Sequence, residues 1–299
     1  MELANPFTAA GQWYKGNLHT HTTRSDGGST PEEMVARYRE AGYDFVALTD
    51  HRVVTSIGPV PDGDFLVLLG AELDGDRSEV GESFHVCGFG LEAEAEVPLE
   101  PTVQEAINWI RGHGGEAVIA HPYWSGLVVA DLLRWEGHLG LEVFNTTCQT
   151  YVAKGCSAVQ WDDVLGRGRL TWGFAVDDAH GGRDMTTAWV MVKARALTRE
   201  AILESLREGL FYSSWGPTIH EVSVTDAEVE VRTSPVTEIN FVAQRWAGRS
   251  FVPTNGPTMA EARYRLRGHE QYLRVQCRDI EGRYAWSNPI LLRGQPGRG

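Results

Sequence analysis

The sequence lacks the features that mark membrane proteins and disulfide-bonded proteins. Its 299 residues contain no run of about 18 apolar residues, so we predict no membrane-spanning helix and no membrane partner. The N-terminus does not combine a basic segment with an apolar core, so we expect no signal peptide and a cytoplasmic location. None of the four cysteines lies in a CxxC pair, which argues against structural zinc and favours isolated thiols in a reducing compartment.

Motifs for covalent catalysis are also missing. The sequence contains no GxSxG nucleophile elbow, and no cysteine has an evident partner base. A reaction that proceeds through a protein nucleophile is therefore the weaker interpretation.

Negative charge is concentrated in the first part of the chain. The net charge is −13, and residues before 219 carry 31 acidic against 16 basic side chains, whereas residues from 219 onward carry 9 acidic side chains against 11 arginines. Such an acidic body repels long nucleic acids unless bound cations alter the local field. The balance predicts a small molecule or a short oligonucleotide as substrate.

Short apolar strands alternate with amphipathic helices up to about residue 215. The predicted strands are Asn17–His21, Phe45–Thr49, Phe65–Leu69, His85–Gly88, Ala117–Ala120, Leu141–Phe144 and Leu170–Val176. The predicted helices begin at Pro31, which follows the capping residue Thr30, and continue with Pro101–Gly112, Leu127–Trp135, Ala158–Gly166 and Thr198–Glu208. This alternation predicts a parallel sheet, and about seven repeats of the unit favour a closed barrel.

Helical periodicity is absent after residue 218. Short strands are predicted at Glu221–Val224, Glu228–Arg232, Ile239–Gln244, Ala262–Leu266, Leu273–Arg278 and Pro289–Leu292. The sequence therefore predicts an α/β barrel domain over residues 1–218 and a small, sandwich-like all-β domain over residues 219–299. The β domain could shape the rim of a pocket, mediate dimerisation or cover apolar barrel surface, and the oligomeric state is not predicted.

The clearest chemical signal is a pair of histidines at the end of the first predicted strand. His19 and His21 are two residues apart, so both side chains point the same way from a strand. They can therefore reach one metal ion at the carboxyl mouth of a barrel, where active sites of such folds lie. An HxH pair alone is a weak signal, because many occur by accident on surfaces.

Further potential ligands lie at or near other strand ends. They are His51, Glu72, His85, His121, Asp178 and His180, so that six of the ten histidines occupy such positions. Imidazole together with carboxylate selects zinc, manganese or iron over calcium or magnesium. Glu72 is a candidate to bridge two metal ions, which could clamp a phosphoryl group and activate water as hydroxide.

These motifs, taken in order, resemble those of the polymerase and histidinol phosphatase (PHP) superfamily. The matching segments are Asn17–Gly27, Leu48–His51, Gly70–Glu72, Ala120–Pro122 and Asp177–His180. The resemblance covers roughly residues 15–215 and implies a distorted (β/α)7 barrel with two or three divalent metal ions at its C-terminal face.

The resemblance also implies which residues hold each ion. One set is His19, His21, Glu72 and Asp178; a second is Glu72, His85 and His121; a third is Asp26, His51 and His180. Many relatives have histidine at the position of Asp26, which leaves the third ion open. We expect Glu72, Asp178 and His180 to be the catalytic residues.

The β tail, with the segment Tyr284–Pro289, resembles the extension of a subgroup that includes carbamate-ester hydrolases acting on carbaryl-like compounds. The wider family consists mostly of phosphoesterases, including nucleotide phosphatases and 5′→3′ exonucleases. The resemblance therefore implies a phosphoesterase that cleaves a phosphomonoester or a 5′-terminal nucleotide or short oligonucleotide phosphodiester. A carboxylic or carbamic ester hydrolase is the alternative, and a metal-binding scaffold is disfavoured because every matched ligand position holds a competent residue.

Residues next to the motifs have more open roles. Asp50 and Asp177 adjoin ligands and are expected to orient them or to serve the fold. Glu142 and Asn145 either support the ligands or belong to a plain loop. Candidates for substrate contact are Arg24, Arg52, Arg183, Tyr123 and Trp124, with solvated loop arginines and packing between barrel and tail as the alternatives. The remaining histidines, His113, His138, His220 and His269, are expected to be structural or on the surface.

Overall fold

The computed structural model describes residues 5–58 and 64–292. The elements of the first part are β1 (Gln12–Asn17), α1 (Pro31–Glu40), β2 (Phe45–Leu48), β3 (Leu66–Arg77), β4 (Ser83–Phe89), α2 (Val103–Gly112), β5 (Glu116–Ile119), α3 (Val129–Leu132), β6 (Gly140–Asn145), α4 (Thr146–Val152), α5 (Ala158–Leu165), β7 (Trp172–Val176), β8 (Trp189–Ala194), α6 (Arg199–Arg207) and β9 (Phe211–Ser214). The second part contains β10 (Ile219–Val224), β11 (Glu228–Val236), β12 (Glu238–Val242), β13 (Gly248–Phe251), β14 (Met259–Arg265), β15 (Tyr272–Arg278), β16 (Tyr284–Ser287) and β17 (Ile290–Leu291).

The first helix forms where the capping signal predicted it. The hydroxyl of Thr30 accepts a hydrogen bond from the Glu33 backbone N–H, and the Glu33 carboxylate accepts one from the Thr30 backbone N–H. Pro31 fits the first turn because its missing N–H would have no partner there. This capping box fixes the helix start just after the loop that carries Asp26.

Strands β1 to β7 lie side by side in sequence order. The pairs β1–β2, β2–β3, β5–β6 and β6–β7 are parallel, which confirms the mixed α/β fold with a parallel-strand sheet. Beyond the strand ends, Thr20 and Ala179 form a parallel bridge. The His21 N–H donates to the Ala179 carbonyl at 2.9 Å, and the Asp178 N–H donates to the His19 carbonyl at 2.9 Å. The segments that follow β1 and β7 therefore meet directly.

In the first part of the chain, β1 and β3 differ most from the predicted strands. Strand β1 ends at Asn17 and begins at Gln12, because Gln12–Gly16 pairs antiparallel with β8, a strand that the sequence reading missed. Strand β3 continues to Arg77 and turns back through a tight loop into β4, which is antiparallel to both β3 and β5. The short connection explains the antiparallel pair, since a parallel neighbour needs a long crossover.

An apolar cluster packs between these strands and helix α6. It contains Phe45, Leu68, Val118, Phe174 and equivalent side chains from the neighbouring strands, and the apolar face of α6 joins it. Each fully buried side chain of this size contributes about 1.5 to 3 kcal/mol through removal from water. Polar ligands are thereby confined to the mouth, where the strands end.

The second part is a β-sandwich whose larger sheet continues the barrel sheet. The strand order β13-β12-β15-β16-β9-β8-β1 joins the two parts, and β10-β11-β14 forms the opposing sheet. Val231, Phe241 and Val275 belong to the cluster buried between the two sheets. The predicted boundary after residue 218 falls between β9 and β10, while backbone pairing continues across it from β9 to β16.

Side chains of the sandwich also pack on the barrel part. Trp286 stacks on Phe144 at 5.8 Å between ring centroids, and Phe144 stacks on Trp215 at 4.5 Å. The buried Arg274 makes two hydrogen bonds with the Asp162 carboxylate of α5, at 2.8 and 2.6 Å. The second part therefore covers apolar barrel surface, one of the three roles considered for it.

Among the described residues, no helix is both long and apolar enough to cross a membrane.

Candidate metal centre

Four side chains converge beside β3, beyond the ends of β1 and β7. His19 and His21 are fully buried just beyond β1, Glu72 lies in β3, and Asp178 follows β7. The Nε2 atoms of the two histidines are 3.1 Å apart. Asp178 Oδ1 lies 3.3 Å from His19 Nε2 and 3.0 Å from His21 Nε2, and Glu72 Oε2 lies 3.3 Å from each.

These separations match the edges of a small coordination polyhedron. Four ligands at the usual zinc distance of about 2.0–2.1 Å in tetrahedral geometry lie about 3.3 Å from one another. The donor atoms of this group are thus already spaced for one cation, and the donor set of two imidazoles and two carboxylates suits a divalent metal. This is the first set that the family resemblance implied.

Glu72 presents its two oxygens to different groups of histidines. Its Oε2 faces His19 and His21 and lies 3.2 Å from His51 Nδ1, while its Oε1 lies 2.9 Å from His85 Nδ1 and 3.4 Å from His121 Nε2. A carboxylate placed in this way can bridge two cations. His51 Nδ1 is buried without a hydrogen bond, as expected of a nitrogen oriented toward an ion.

A further group of potential ligands surrounds Asp26. Its carboxylate oxygens lie 3.6 Å from His21 Nδ1, 3.6 Å from His51 Nε2 and 3.4 Å from His180 Nε2. The structure therefore brings together Asp26, His51 and His180, the predicted third set, and adds the second nitrogen of His21. Asp26 is the exposed member, so this group lies toward solvent.

Glu142 and Asn145 support the ligands from the end of β6. Glu142 Oε1 lies 2.6 Å from His19 Nδ1, and its Oε2 accepts hydrogen bonds from the His121 N–H at 2.8 Å and from the Asn145 amide at 2.9 Å. The same amide donates to Asp178 Oδ2 at 3.1 Å. Contacts of this kind set ring orientation and ligand basicity, which favours the supporting role left open above.

Asp50 and Asp177 face away from the ligand atoms and hold the surrounding loops. Asp50 accepts hydrogen bonds from the N–H and the hydroxyl of Thr22 and from the hydroxyls of Ser25 and Thr55. This network fixes the loop that leads to Asp26. Asp177 similarly accepts from the Tyr38 hydroxyl at 2.7 Å and from the Ala188 N–H at 2.8 Å.

Two ligands have backbone angles that side chains rarely adopt. Asp178 has φ of 56° and His121 has φ of 28°. Left-handed backbone at such residues costs about 1 to 3 kcal/mol and persists only where the surroundings enforce it. Here the bend directs both side chains toward Glu72 instead of letting the chain continue along the strand.

Without a bound cation, the inner histidines of this cluster favour their protonated forms. Burial alone would lower the pKa of His21, but hydrogen bonds to Asp178 and Glu72 outweigh it and raise that pKa from 6.5 to about 9. Burial is likewise outweighed at His19, where Asp178, Glu72 and other nearby groups raise the pKa well above its ordinary value. Conversely, the pKa of Glu72 lies well below its usual range, because His19 and His85 outweigh the effect of burial. Divalent cations would satisfy the same carboxylates.

The residues predicted to contact the substrate differ in their exposure and in their distance from the proposed ligands. Arg183 is exposed, and its guanidinium lies 5.0 Å from the Tyr151 ring centroid, while Arg52 forms an ion pair with Asp74. Arg24 is exposed. Trp124 borders the ligands, with its ring 5.0 Å from that of His121 and 6.1 Å from that of His85. Tyr123 is exposed beside Lys154, with the ammonium nitrogen 6.0 Å from its ring.

Sequence reasoning missed Asp74 as a neighbour of the centre. Its Oδ1 lies 3.6 Å from His85 Nε2 and 3.7 Å from His51 Nδ1. Asp74 is two residues after Glu72 on β3, so the alternation of side chains in a strand places both on one face. That signal was unused because the strand was predicted to end at Leu69.

Two of the remaining histidines contact backbone carbonyls elsewhere, since His113 Nδ1 lies 2.8 Å from the Trp109 oxygen and His138 Nδ1 lies 3.2 Å from the Gly140 oxygen.

Together, the fold and the cluster define a candidate divalent-metal centre beyond the strand ends of an α/β sheet. The model of the PHP domain family matches residues 17–108. The matched segment contains the ligands from His19 to His85, whereas His121, Asp178 and His180 lie beyond it. Residues 17–108 are therefore similar to the PHP domain family, and the cluster of His, Glu and Asp side chains fits a divalent metal ion.

Solved structures with a similar fold include a two-domain protein of Bacteroides vulgatus that contains a predicted PHP-like metal-dependent phosphoesterase. It is 15% identical, the alignment covers 97% of this chain and 98% of that one, and the TM-score is 0.52. An amidohydrolase of Chromobacterium violaceum with bound sulfate and no metal is 16% identical over 56% of this chain and 88% of that one, with a TM-score of 0.42. The lesion-specific endonuclease EndoQ of Pyrococcus furiosus is 14% identical over 67% of this chain and 56% of that one, with a TM-score of 0.44.

A search of the curated proteins found no match. The similarity to the Bacteroides protein extends over both parts of the chain and supports the overall fold, including the C-terminal β region.

Proposed function

We propose that the protein is a phosphoesterase that cleaves a phosphomonoester or the 5′-terminal phosphodiester of a nucleotide or short oligonucleotide. The observation that carries this proposal is the position of Glu72 between groups of ligands, with one oxygen toward His19 and His21 and the other toward His85 and His121. Adjacent cations that share a carboxylate suit a phosphoryl group, whose attacking and leaving oxygens both need stabilisation. The ligand groups favour two or three ions of zinc, manganese or iron.

When bound, such cations supply Lewis-acid polarisation of the ester and a water of lowered pKa as nucleophile. The chain's own residues position this chemistry. Glu142 and Asn145 hold His19 and Asp178 in place, and the buried walls around Glu72 exclude bulk water from the inner ligands. Hydrogen bonds of this kind keep a ligand within the narrow range of geometry that catalysis requires.

His180 is the predicted catalytic residue best placed to handle a proton. Its Nδ1 lies 2.8 Å from the backbone carbonyl of Asp178, an acceptor, so this nitrogen carries the hydrogen. The lone pair of Nε2 is then directed toward Asp26 and the open side of the centre. From there His180 can serve as a ligand to an outer ion or can hold a proton near a leaving group.

Arg183 and Tyr151 supply a candidate contact for the substrate at this outer side. Arg183 Nη2 donates to the Thr150 carbonyl at 3.3 Å, which anchors the guanidinium while leaving other N–H groups free. A planar guanidinium fixed in this way can bind a phosphate through two hydrogen bonds. Arg24 could act similarly from the loop before Asp26. The acidic body of the chain favours a small substrate over long nucleic acid.

A second candidate function is favoured by Trp124. Its ring forms a wall beside His121 and His85, and such a surface suits an aromatic leaving group. Together with the resemblance of the β tail to carbaryl-hydrolase-like enzymes, this supports a carboxylic or carbamic ester hydrolase that uses the same ligands. The two candidates differ in whether the charge of Arg183 or the ring of Trp124 dominates substrate binding.

The test compares four chromogenic esters with metal-loaded protein: p-nitrophenyl phosphate, the p-nitrophenyl ester of thymidine 5′-monophosphate, p-nitrophenyl acetate and a p-nitrophenyl carbamate. We expect hydrolysis of one of the phosphate esters, its loss in His19→Ala and its retention in His113→Ala, which removes a histidine outside the centre. A raised KM with little change in kcat for Arg183→Gln would support the phosphate contact. Cleavage of the acetate or carbamate alone would overturn the phosphoesterase proposal in favour of the second candidate.

A further inference from the structure

A second polar cleft lies in the C-terminal β region. It has a volume of about 390 Å³ and is lined by Arg249, Phe251, Arg263, Tyr264, Arg265, Leu266 and Arg267. Clefts of about 300 to 1,000 Å³ accommodate small-molecule ligands. Four arginines around one such space form an unusual concentration of positive charge in a chain whose net charge is −13.

The topology separates this cleft from the metal centre. Strand β13 is the edge of the larger sheet, and β14 is the edge of the smaller sheet, so the cleft lies at an open side of the sandwich. Five strands stand between β13 and β1, which at the usual strand spacing corresponds to roughly 29 Å along the sheet. None of the residues that line the cleft is one of the proposed metal ligands.

Most of the positive charge in the cleft is not neutralised by the chain itself. Arg263 pairs with Glu230 at 2.8 Å and with Glu228 at 3.5 Å. Among the described residues, Arg249, Arg265 and Arg267 form no such ion pair; Arg249 instead lies over the Phe251 ring at 5.1 Å. Like charges gathered around a small space repel one another, and an anion between them removes that repulsion.

The loop that carries Arg267 is held in place. The carboxylate of the buried Glu270 accepts hydrogen bonds from the Tyr264 hydroxyl at 2.6 Å, the Arg267 N–H at 3.0 Å and the His269 N–H at 3.1 Å. The Gln244 side chain also donates to the His269 carbonyl at 2.7 Å. A backbone fixed in this way reduces the entropy lost when a ligand binds.

Charged side chains on edge strands also serve another purpose, because they prevent edge-to-edge pairing of sheets. That role requires only scattered charges. In this cleft, Arg263, Arg265 and Arg267 follow one another along β14 and the loop after it, and Arg249 of β13 contributes to the lining from the other sheet. Four arginines that line one space supply more guanidinium donors than edge protection needs, and guanidinium groups bind phosphate oxygens.

We propose that this cleft is a second ligand site that binds a small anion with two adjacent phosphate groups, independently of the metal centre. Its volume suits a diphosphate, alone or as part of a nucleotide, and its guanidinium groups supply the matching donors. The proposal goes beyond the phosphoesterase reaction and does not depend on it.

The experiment measures binding of methylenediphosphonate, a diphosphate analogue that resists hydrolysis, to the full chain by calorimetry at low salt. The variants are Arg265→Gln with Arg267→Gln as the test, His19→Ala to disable the metal centre, and Arg232→Gln as a matched control. Arg232 is an exposed arginine of the same small sheet that pairs with Glu221 and does not line the cleft. The three arginines that are replaced are exposed, so we expect the thermal unfolding of the arginine variants to remain near that of wild type.

We expect the double arginine variant to weaken one binding event at least tenfold, while His19→Ala and Arg232→Gln leave that event intact. Loss of all binding in His19→Ala would show that the probe reaches only the metal centre and would overturn the proposal. Equal binding in the double variant would do the same. Binding of a single-stranded oligonucleotide without binding of the diphosphonate would replace the small-anion site by a nucleic-acid surface.

Discussion

Raising the pH should destabilise the metal-free protein specifically through His21. In the metal-free cluster the pKa of His21 is raised from 6.5 to about 9, because hydrogen bonds to Asp178 and Glu72 outweigh the opposing effect of burial. Folding then favours the imidazolium, so the contribution is fully present below about pH 6.5 and is lost as the pH rises through about 9. The difference between the two pKa values corresponds to about 3 kcal/mol.

Bound metal should remove this dependence. A cation coordinated by neutral His21 takes the place of the proton and satisfies the same carboxylates. The metal-loaded protein therefore has no imidazolium to lose between pH 6 and pH 10. The same competition makes metal affinity rise with pH, by about tenfold per pH unit for each proton displaced, until the pH reaches about 9.

Urea unfolding of chelator-treated and metal-loaded protein at several pH values from 6 to 10 measures the effect. The relevant quantity is the free energy of unfolding of wild type minus that of His21→Gln, since other groups that titrate in this range are shared by both proteins. We expect this difference to fall by about 3 kcal/mol across the range in metal-free protein. The corresponding difference between wild type and His113→Gln should stay constant, as His113 lies outside the cluster.

A difference that does not vary with pH in metal-free protein would refute the reasoning. It would mean that Asp178 and Glu72 do not hold His21 as an imidazolium, and that their negative charge is compensated elsewhere. Calorimetric metal titrations in buffers of different ionisation enthalpy supply an independent check, because they count the protons released on binding.

Three further changes have defined expected outcomes. Glu142→Gln keeps the shape of the residue that contacts His19 but removes its charge, and should weaken metal binding about 10- to 100-fold in competition with a chromophoric chelator; unchanged affinity would contradict the supporting role. Arg274→Met leaves the partly buried Asp162 without its partner and should lower the free energy of unfolding by about 2 to 3 kcal/mol, with Asp162→Asn in the same protein recovering part of the loss. Burial of Glu270 is outweighed by its hydrogen bonds, the largest contribution coming from Tyr264, and these lower its pKa to about 2. Glu270→Gln should therefore lower the free energy of unfolding by up to about 3 kcal/mol at neutral pH, and the difference in this free energy between wild type and variant should vanish as the pH falls from 4.5 toward 2.

The alternation of strands and helices was predictable because each buried strand is short and continuous in apolar residues. Strands β2 and β6 illustrate this, since the ends predicted for them, Phe45–Thr49 and Leu141–Phe144, differ from the observed ends by no more than one residue. Strand β8 was not predicted, although its side chains alternate between buried and half-buried. Helix α4 was not predicted either. The helix is only seven residues long and begins with two β-branched threonines, so its formation depends on the Asn145 cap and on packing more than on propensity.

The ligands were predictable because parallel strands bring their carboxyl ends together. Once the strand order is known, residues such as His19, Glu72 and Asp178 must lie close to one another. The supporting contacts were harder to predict, because Glu142 is one of many carboxylates and only its distance to His19 distinguishes it. Asp74 was hidden by the antiparallel continuation of β3 into β4, which departs from a regular barrel.

The contact between the segments that follow β1 and β7 depends on long-range backbone pairing, which no local sequence pattern reveals. The bridge between Thr20 and Ala179 joins segments about 160 positions apart in the sequence and brings the two halves of the first ligand set together. Its hydrogen bonds use backbone groups, so side-chain identity reveals nothing of them. The left-handed backbone of Asp178 lies next to this bridge and directs the carboxylate inward, at a residue type that tolerates such angles better than β-branched residues do. The sequence thus identifies the candidate ligands, whereas the backbone pairing beside them brings their donor atoms to the separations that one cation requires.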